Sequence, residues 1–108
     1  MRVPLQIAFH GVDHSDAVEG NIRSAVAKLE KINGRITACR VAVEGLNHGA
    51  ERHRPAFGVR IDLTLPGAEL VVNEEPEAGA QHDIRVALRR AFAAMERRLK
   101  EHRQRQQA

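Results

Sequence analysis

The sequence predicts an α+β domain with the element order β-α-β-β-β-α, a four-stranded mixed sheet with two helices packed on one face. Three observations predict it. Segments beginning near Val18 and Ile84 repeat apolar residues at helical spacing. Segments 36–45 and 57–65 alternate with period two. Pro66-Gly67 then supplies turn residues between two strands. The 108 residues are enough for one core and no second one. Residues 1–104 are read as a single domain and 105–108 as a frayed tail.

Leu5 to Phe9 form a short first strand. Ser15 is placed to cap the first helix, with Asp16 and Glu19 in its first turn, where carboxylates meet free N–H groups and the positive end of the dipole. Val18, Ile22, Ala25, Val26, Leu29 and Ile32 make its apolar stripe. Asn33-Gly34 ends it, with Gly34 able to take the left-handed conformation at little cost. In the second strand Thr37, Cys39, Val41 and Val43 share one face. Ala38, Arg40, Ala42 and Glu44 fall on the other, an open face where Ile36, Ala38 and Ala42 could support a dimer, although the oligomeric state is not legible. Phe57, Val59, Ile61, Leu63 and Leu65 give the third strand a core face against Gly58, Arg60, Asp62 and Thr64. Ala68 to Asn73 returns as the fourth. The last helix starts at about His82 or Asp83, and its stripe is Ile84, Leu88, Ala91, Phe92, Met95 and Leu99. The first β-α-β unit makes strands one and two parallel, and the later strands are antiparallel.

Composition excludes several classes. Hydrophobic residues at 43% and charged residues at 29% fit a folded globular chain. Phe9, Phe57 and Phe92 are the only aromatics, too few for an RRM- or OB-type base-stacking platform. The single cysteine, Cys39, rules out an internal disulfide and fits a reducing compartment. No apolar run approaches the roughly 20 residues that span a bilayer, and the N-terminus is too short and polar for a signal peptide. A soluble cytoplasmic protein is expected, with no membrane partner.

No catalytic motif occurs, and no enzyme activity, small-molecule substrate, cofactor or metal is expected. His10 with His14, or His48 with His53, lack companions at metal-ligand spacing and read as solvated histidines. Glu74 and Glu75 lie in an acidic stretch with no nucleophile nearby. Cys39 is on a core face, where a thiol is inert.

Charge is the informative signal. The net charge is +3, but residues 84–108 hold eight Lys/Arg against Glu96 and Glu101. Residues 69–83 carry five carboxylates and no basic residue. On a helical wheel Arg85, Arg89, Lys100 and Arg103 cluster on one flank of the last helix, with Arg90 and Arg97 on the far side. Arginine dominates, and its planar fork suits phosphate oxygens. This layout suggests a polyanionic partner for one part of the surface, the alternative being a plain solvated face.

The segments LQIAFHGVDHSDAV, KLEKI, PGAEL and MERRLKEHR, in this order along nearly the whole chain, resemble the ribosome hibernation-promoting factor and ribosome-associated inhibitor family, in its short form without an added dimerisation domain. The resemblance implies a translation inhibitor that contacts small-subunit rRNA phosphates and blocks mRNA and tRNA sites. By position, the implied contacts are Lys28 and Lys31 on the first helix and Arg97, Lys100 and Arg103 on the second. Arg85, Arg89, Arg90 and Arg98 are basic at places where the family is more often neutral or acidic. Ser24, Ala25 and Ala94 stand where it usually carries lysines. The scaffold is kept while the basic surface is shifted. The alternative is therefore a divergent paralogue, a protein-interaction or other RNA-binding module using the acidic stretch 69–83 and the open sheet face.

Overall fold

The computed structural model describes residues 3–46, 56–74 and 84–107. The elements are β1 (Leu5–His10), α1 (Asp16–Ile32), β2 (Ala38–Leu46), β3 (Ala56–Leu65), β4 (Ala68–Glu74) and α2 (Ile84–Gln107). They form the expected β-α-β-β-β-α order. The sheet order is β1-β2-β3-β4. β1 runs parallel to β2, and the β2–β3 and β3–β4 pairs are antiparallel.

One cluster of buried side chains joins the two helices to the sheet. Val41, Val43, Val59, Ile61 and Leu63 rise from one sheet face, at 0–1% exposure. Ile22 and Leu29 of α1 and Met95 and Leu99 of α2 meet them, all at 2% or less. Burying a side chain of this size stabilises by about 1.5–3 kcal/mol. Ala87, also fully buried, belongs to the α2 stripe as well.

The local signals act as their chemistry requires. Ser15 is in the extended region and its side chain accepts from the Val18 N–H, at 3.3 Å. Such a cap is worth about 1 kcal/mol. Gly67 takes φ +75° in the β3–β4 turn, a conformation open to glycine at little cost. β4 is an edge strand, and Arg98 of α2 donates to its Val71 carbonyl oxygen. That contact occupies a backbone group that could otherwise pair with another strand.

Four expectations differ from the structure. Gly34 is not left-handed, because positive φ occurs only at Gly11 and Gly67 among the described residues. Asn33 closes α1 in an extended conformation instead. Its N–H donates to the Leu29 carbonyl and its side-chain oxygen accepts from the Arg35 N–H, at 2.9 Å. Ile36 is not on the open sheet face: it is 3% exposed in the core. β2 begins at Ala38, so strand alternation does not reach back to Ile36. Glu19 does not turn to the helix backbone; its carboxylate binds His14 and Arg23. The helix α2 also continues through 105–107, into the residues read as tail. Of the acidic stretch 69–83, residues 69–74 belong to β4, and 75–83 lie outside the described residues.

Candidate nucleic-acid interface

The basic residues are positioned by the way α1 and α2 lie together. Arg103, near the C-terminal end of α2, donates from Nη1 to the carbonyl of Ile32, the last residue of α1, at 3.0 Å. Residues earlier in both helices face each other further along. The helices therefore run side by side in the same direction, with their C-terminal ends together. Both negative dipole ends gather there, which favours nearby cations.

The C-terminal end of this seam holds a basic pocket. Lys31, Arg35, His102 and Arg103 line it, together with Ile32, Asn33, Gly34 and the start of the β3–β4 turn at Leu65 and Pro66. Among the described residues, no carboxylate lines it. The open volume is about 440 Å³, large enough for a phosphate group with its ester oxygens. Lys31 and Arg35 reach it from the α1 terminus and the chain just beyond. His102 and Arg103 come from the last turns of α2.

Further along the seam lies a groove of about 500 Å³. Ala25, Leu29, Leu88 and Phe92 give it an apolar floor. Asn21, Ser24, Lys28, Arg85, Arg89 and Glu96 stand around it. Small side chains at 24, 25 and 93 leave the space open.

Five of the eight residues expected to bind RNA line the seam. Lys28, Arg85 and Arg89 line the groove, and Lys31 and Arg103 line the pocket. Lys100 pairs with Glu96 across one helical turn at 3.2 Å, which ties down the one described carboxylate beside the groove. Arg90 and Arg97 are exposed but line neither depression. Arg98 is spent on the β4 edge. Sequence reasoning missed Arg35 and His102. The family resemblance does not point to them, and they meet Lys31 and Arg103 only through the fold.

The histidines divide. His14 Nε2 lies 2.7 Å from Glu19 Oε1, and Asp16 lies 3.6 Å from the other ring nitrogen. Arg23 donates to the second Glu19 oxygen from Nε and Nη2, at 3.0 and 2.8 Å. These bonds hold the Glu19 carboxyl below its ordinary value, His14 first and Arg23 second. The His14 ring also meets Phe9 edge-on, with centroids 5.1 Å apart. The three possible ligands His14, Asp16 and Glu19 lie close together, but this network already accounts for their approach. His10 is exposed on β1, and His48 and His53 lie outside the described residues. Burial of Cys39, followed by the charges of Asp62 and Glu30, pushes its thiol up to about 12. This is the opposite of what a nucleophile needs. No helix among the described residues is long and apolar enough to cross a membrane.

A mixed sheet with two parallel-running helices on one face, and a basic seam between them, defines the class: a small α+β domain with a basic helical surface. Residues 5–107 match the family described as Sigma 54 modulation protein / S30EA ribosomal protein, and the chain belongs to that family. Two solved structures share the fold. One is the Thermus thermophilus Protein Y N-terminal domain, with TM-score 0.67, 20% identity, and 94% of this chain and 99% of that one covered. The other is a ribosomal subunit interface protein from Coxiella burnetii, with TM-score 0.69, 17% identity, and 94% and 98% covered. No curated protein sequence matches the chain.

Proposed function

We propose that this protein is a hibernation factor that binds rRNA of the small ribosomal subunit through the α1–α2 seam and sterically blocks the mRNA and tRNA sites. One observation carries the reading: Lys31, Arg35, His102 and Arg103 converge on a pocket that no described carboxylate lines. Lys31, Arg35 and Arg103 are cations that phosphates would neutralise there, releasing condensed counterions. Membership of a ribosomal protein family supports the ribosome as the place where those phosphates lie. The Coxiella burnetii protein of the same fold is named for the ribosomal subunit interface, which supports the same location. The site is a binding surface; catalysis plays no part in the mechanism.

Co-sedimentation with ribosomes and separated subunits, at low and high salt, tests the proposal. Pelleting with the small subunit that fades as salt rises is expected. Failure to pellet at low salt would remove the ribosome as the target and leave the protein-interaction reading.

A further inference from the structure

The groove beside the basic pocket has a chemistry that phosphate binding does not use. Its floor of Ala25, Leu29, Leu88 and Phe92 is apolar. A double helix presents charged backbone on its outside and hides its base faces, so it would leave the apolar surface of the groove uncovered. The groove volume, about 500 Å³, falls within the range of small-molecule sites, roughly 300–1,000 Å³. Cations stand on both helices around it, Lys28 on α1 and Arg85 and Arg89 on α2. Lys31 of the basic pocket lies only one helical turn beyond Lys28. An apolar slot bordered by cations, in line with an anion pocket, matches one repeating unit of a single-stranded nucleic acid.

We propose that the α1–α2 groove receives an unpaired nucleobase of the bound RNA, while Lys28, Arg89 and the neighbouring basic pocket hold the phosphates beside it. This rests on the RNA-binding reading above. The base lies between the half-buried Ala25 of α1 and the exposed Ala93 of α2, over Leu88 and Phe92, which close the floor at 5% and 9% exposure. The slot grips the base between aliphatic side chains, so the scarcity of aromatics is no obstacle. Exposed Asn21 and Ser24 offer a side-chain amide and a hydroxyl to the polar edge of the base. The protein therefore recognises a looped-out or single-stranded segment in preference to a regular duplex.

The test fills the groove without touching its charges. Ala93 is exposed and lines it, so Ala93→Phe occupies the space from outside the core. Ala25→Leu fills it from α1, should the first variant not fold as judged by circular dichroism. The probes are a labelled oligouridylate, the same strand with abasic sugars, and an A·U duplex, followed by fluorescence anisotropy. The wild type is expected to bind the intact strand about tenfold more tightly than the abasic one, the scale of a single base contact. The filled variant should lose that advantage while holding the abasic strand and duplex as the wild type does. Equal binding of intact and abasic strands by the wild type overturns the proposal, as does a filled variant that keeps the preference. Lys31→Glu with Arg35→Glu should weaken all three probes together. If the wild type binds none of the probes even at low salt, the RNA reading itself has failed. If it binds all three equally, only the base slot has.

Discussion

Gly11 and Gly45 meet backbone to backbone where β1 leaves β2, one step beyond the last paired residues, His10 and Glu44. A Cβ on Gly11 would lie 2.6 Å from the Gly45 carbonyl oxygen, and one on Gly45 would lie 2.5 Å from the Gly11 oxygen. Gly11 also has φ +68°. Two glycines are needed because each carbonyl occupies the place of the other's side chain. Gly45→Ala should destabilise by about 1–3 kcal/mol through forced displacement of backbone. Gly11→Ala adds the left-handed penalty, about 1 kcal/mol. Urea denaturation checks both. Gly34→Ala is the control: it has open space and no positive φ, and it should change little.

Gly20 should respond in the opposite direction. It sits inside α1, exposed, and a Cβ there would meet nothing within 4 Å. Glycine in a helix interior costs about 0.5–1 kcal/mol relative to alanine, chiefly in backbone entropy. Gly20→Ala should raise stability by that amount and leave RNA binding unchanged. A drop in the denaturation midpoint would overturn the view that Gly20 costs α1 stability.

The contrast between these glycines shows what the sequence could disclose. Alternation in β3 was legible because Val59, Ile61, Leu63 and Leu65 all face one core, and period two is a backbone property. The α2 stripe was legible for the same reason at helical spacing. Gly11 against Gly45 and Arg35 against His102 were not, because they depend on elements that only the tertiary fold brings together. Arg103 and Ile32, which join the two helix ends, are 71 positions apart. Ile36 was misplaced because a strand's period says nothing about residues before its first pair. The charge of α2 was plain in the sequence, but its division between the seam, the β4 edge and the far face needed the geometry.

Glu19 makes stability depend on acid pH. Its folded pKa is lowered from 4.5, first by the His14 hydrogen bond and then by Arg23. The charged form is favoured in the folded state, so the contribution is present above 4.5 and is lost as pH falls through the lower, folded value. Glu19→Gln should lower Tm at neutral pH, and the gap to wild type should close on acidification below 4.5. A gap that persists unchanged would mean that the charge of Glu19 contributes nothing to folding.

Cys39 gives a chemical readout of opening. Burial holds its thiol neutral, with a pKa raised from 9.0 to about 12. In the unfolded chain the thiol ionises first as pH rises, so this group's contribution to stability declines from pH 9.0 upward. At mildly alkaline pH a thiol reagent should label native protein far more slowly than denatured protein, because the thiolate is scarce and Cys39 is only 3% exposed. Labelling that accelerates with urea in step with unfolding is expected. Rapid labelling of folded protein would show that β2 opens locally.

Charge reversal tests whether the seam or the outer face of α2 carries the proposed RNA contact. Arg103 caps α1 through the Ile32 carbonyl, so replacing it would mix folding with binding and it is best left in place. Lys31 and Arg35 line the same pocket and are exposed. Lys31→Glu with Arg35→Glu should release the protein from the small subunit and reduce the slope of log affinity against log salt by about 1 for each phosphate no longer held. Arg90→Glu with Arg97→Glu makes an equal change in net charge on the far side of α2. If attraction were only a matter of net charge, the two pairs would weaken binding alike. A seam that holds phosphates makes the first pair much more costly. The reverse ranking would move the interface to the outer face of α2.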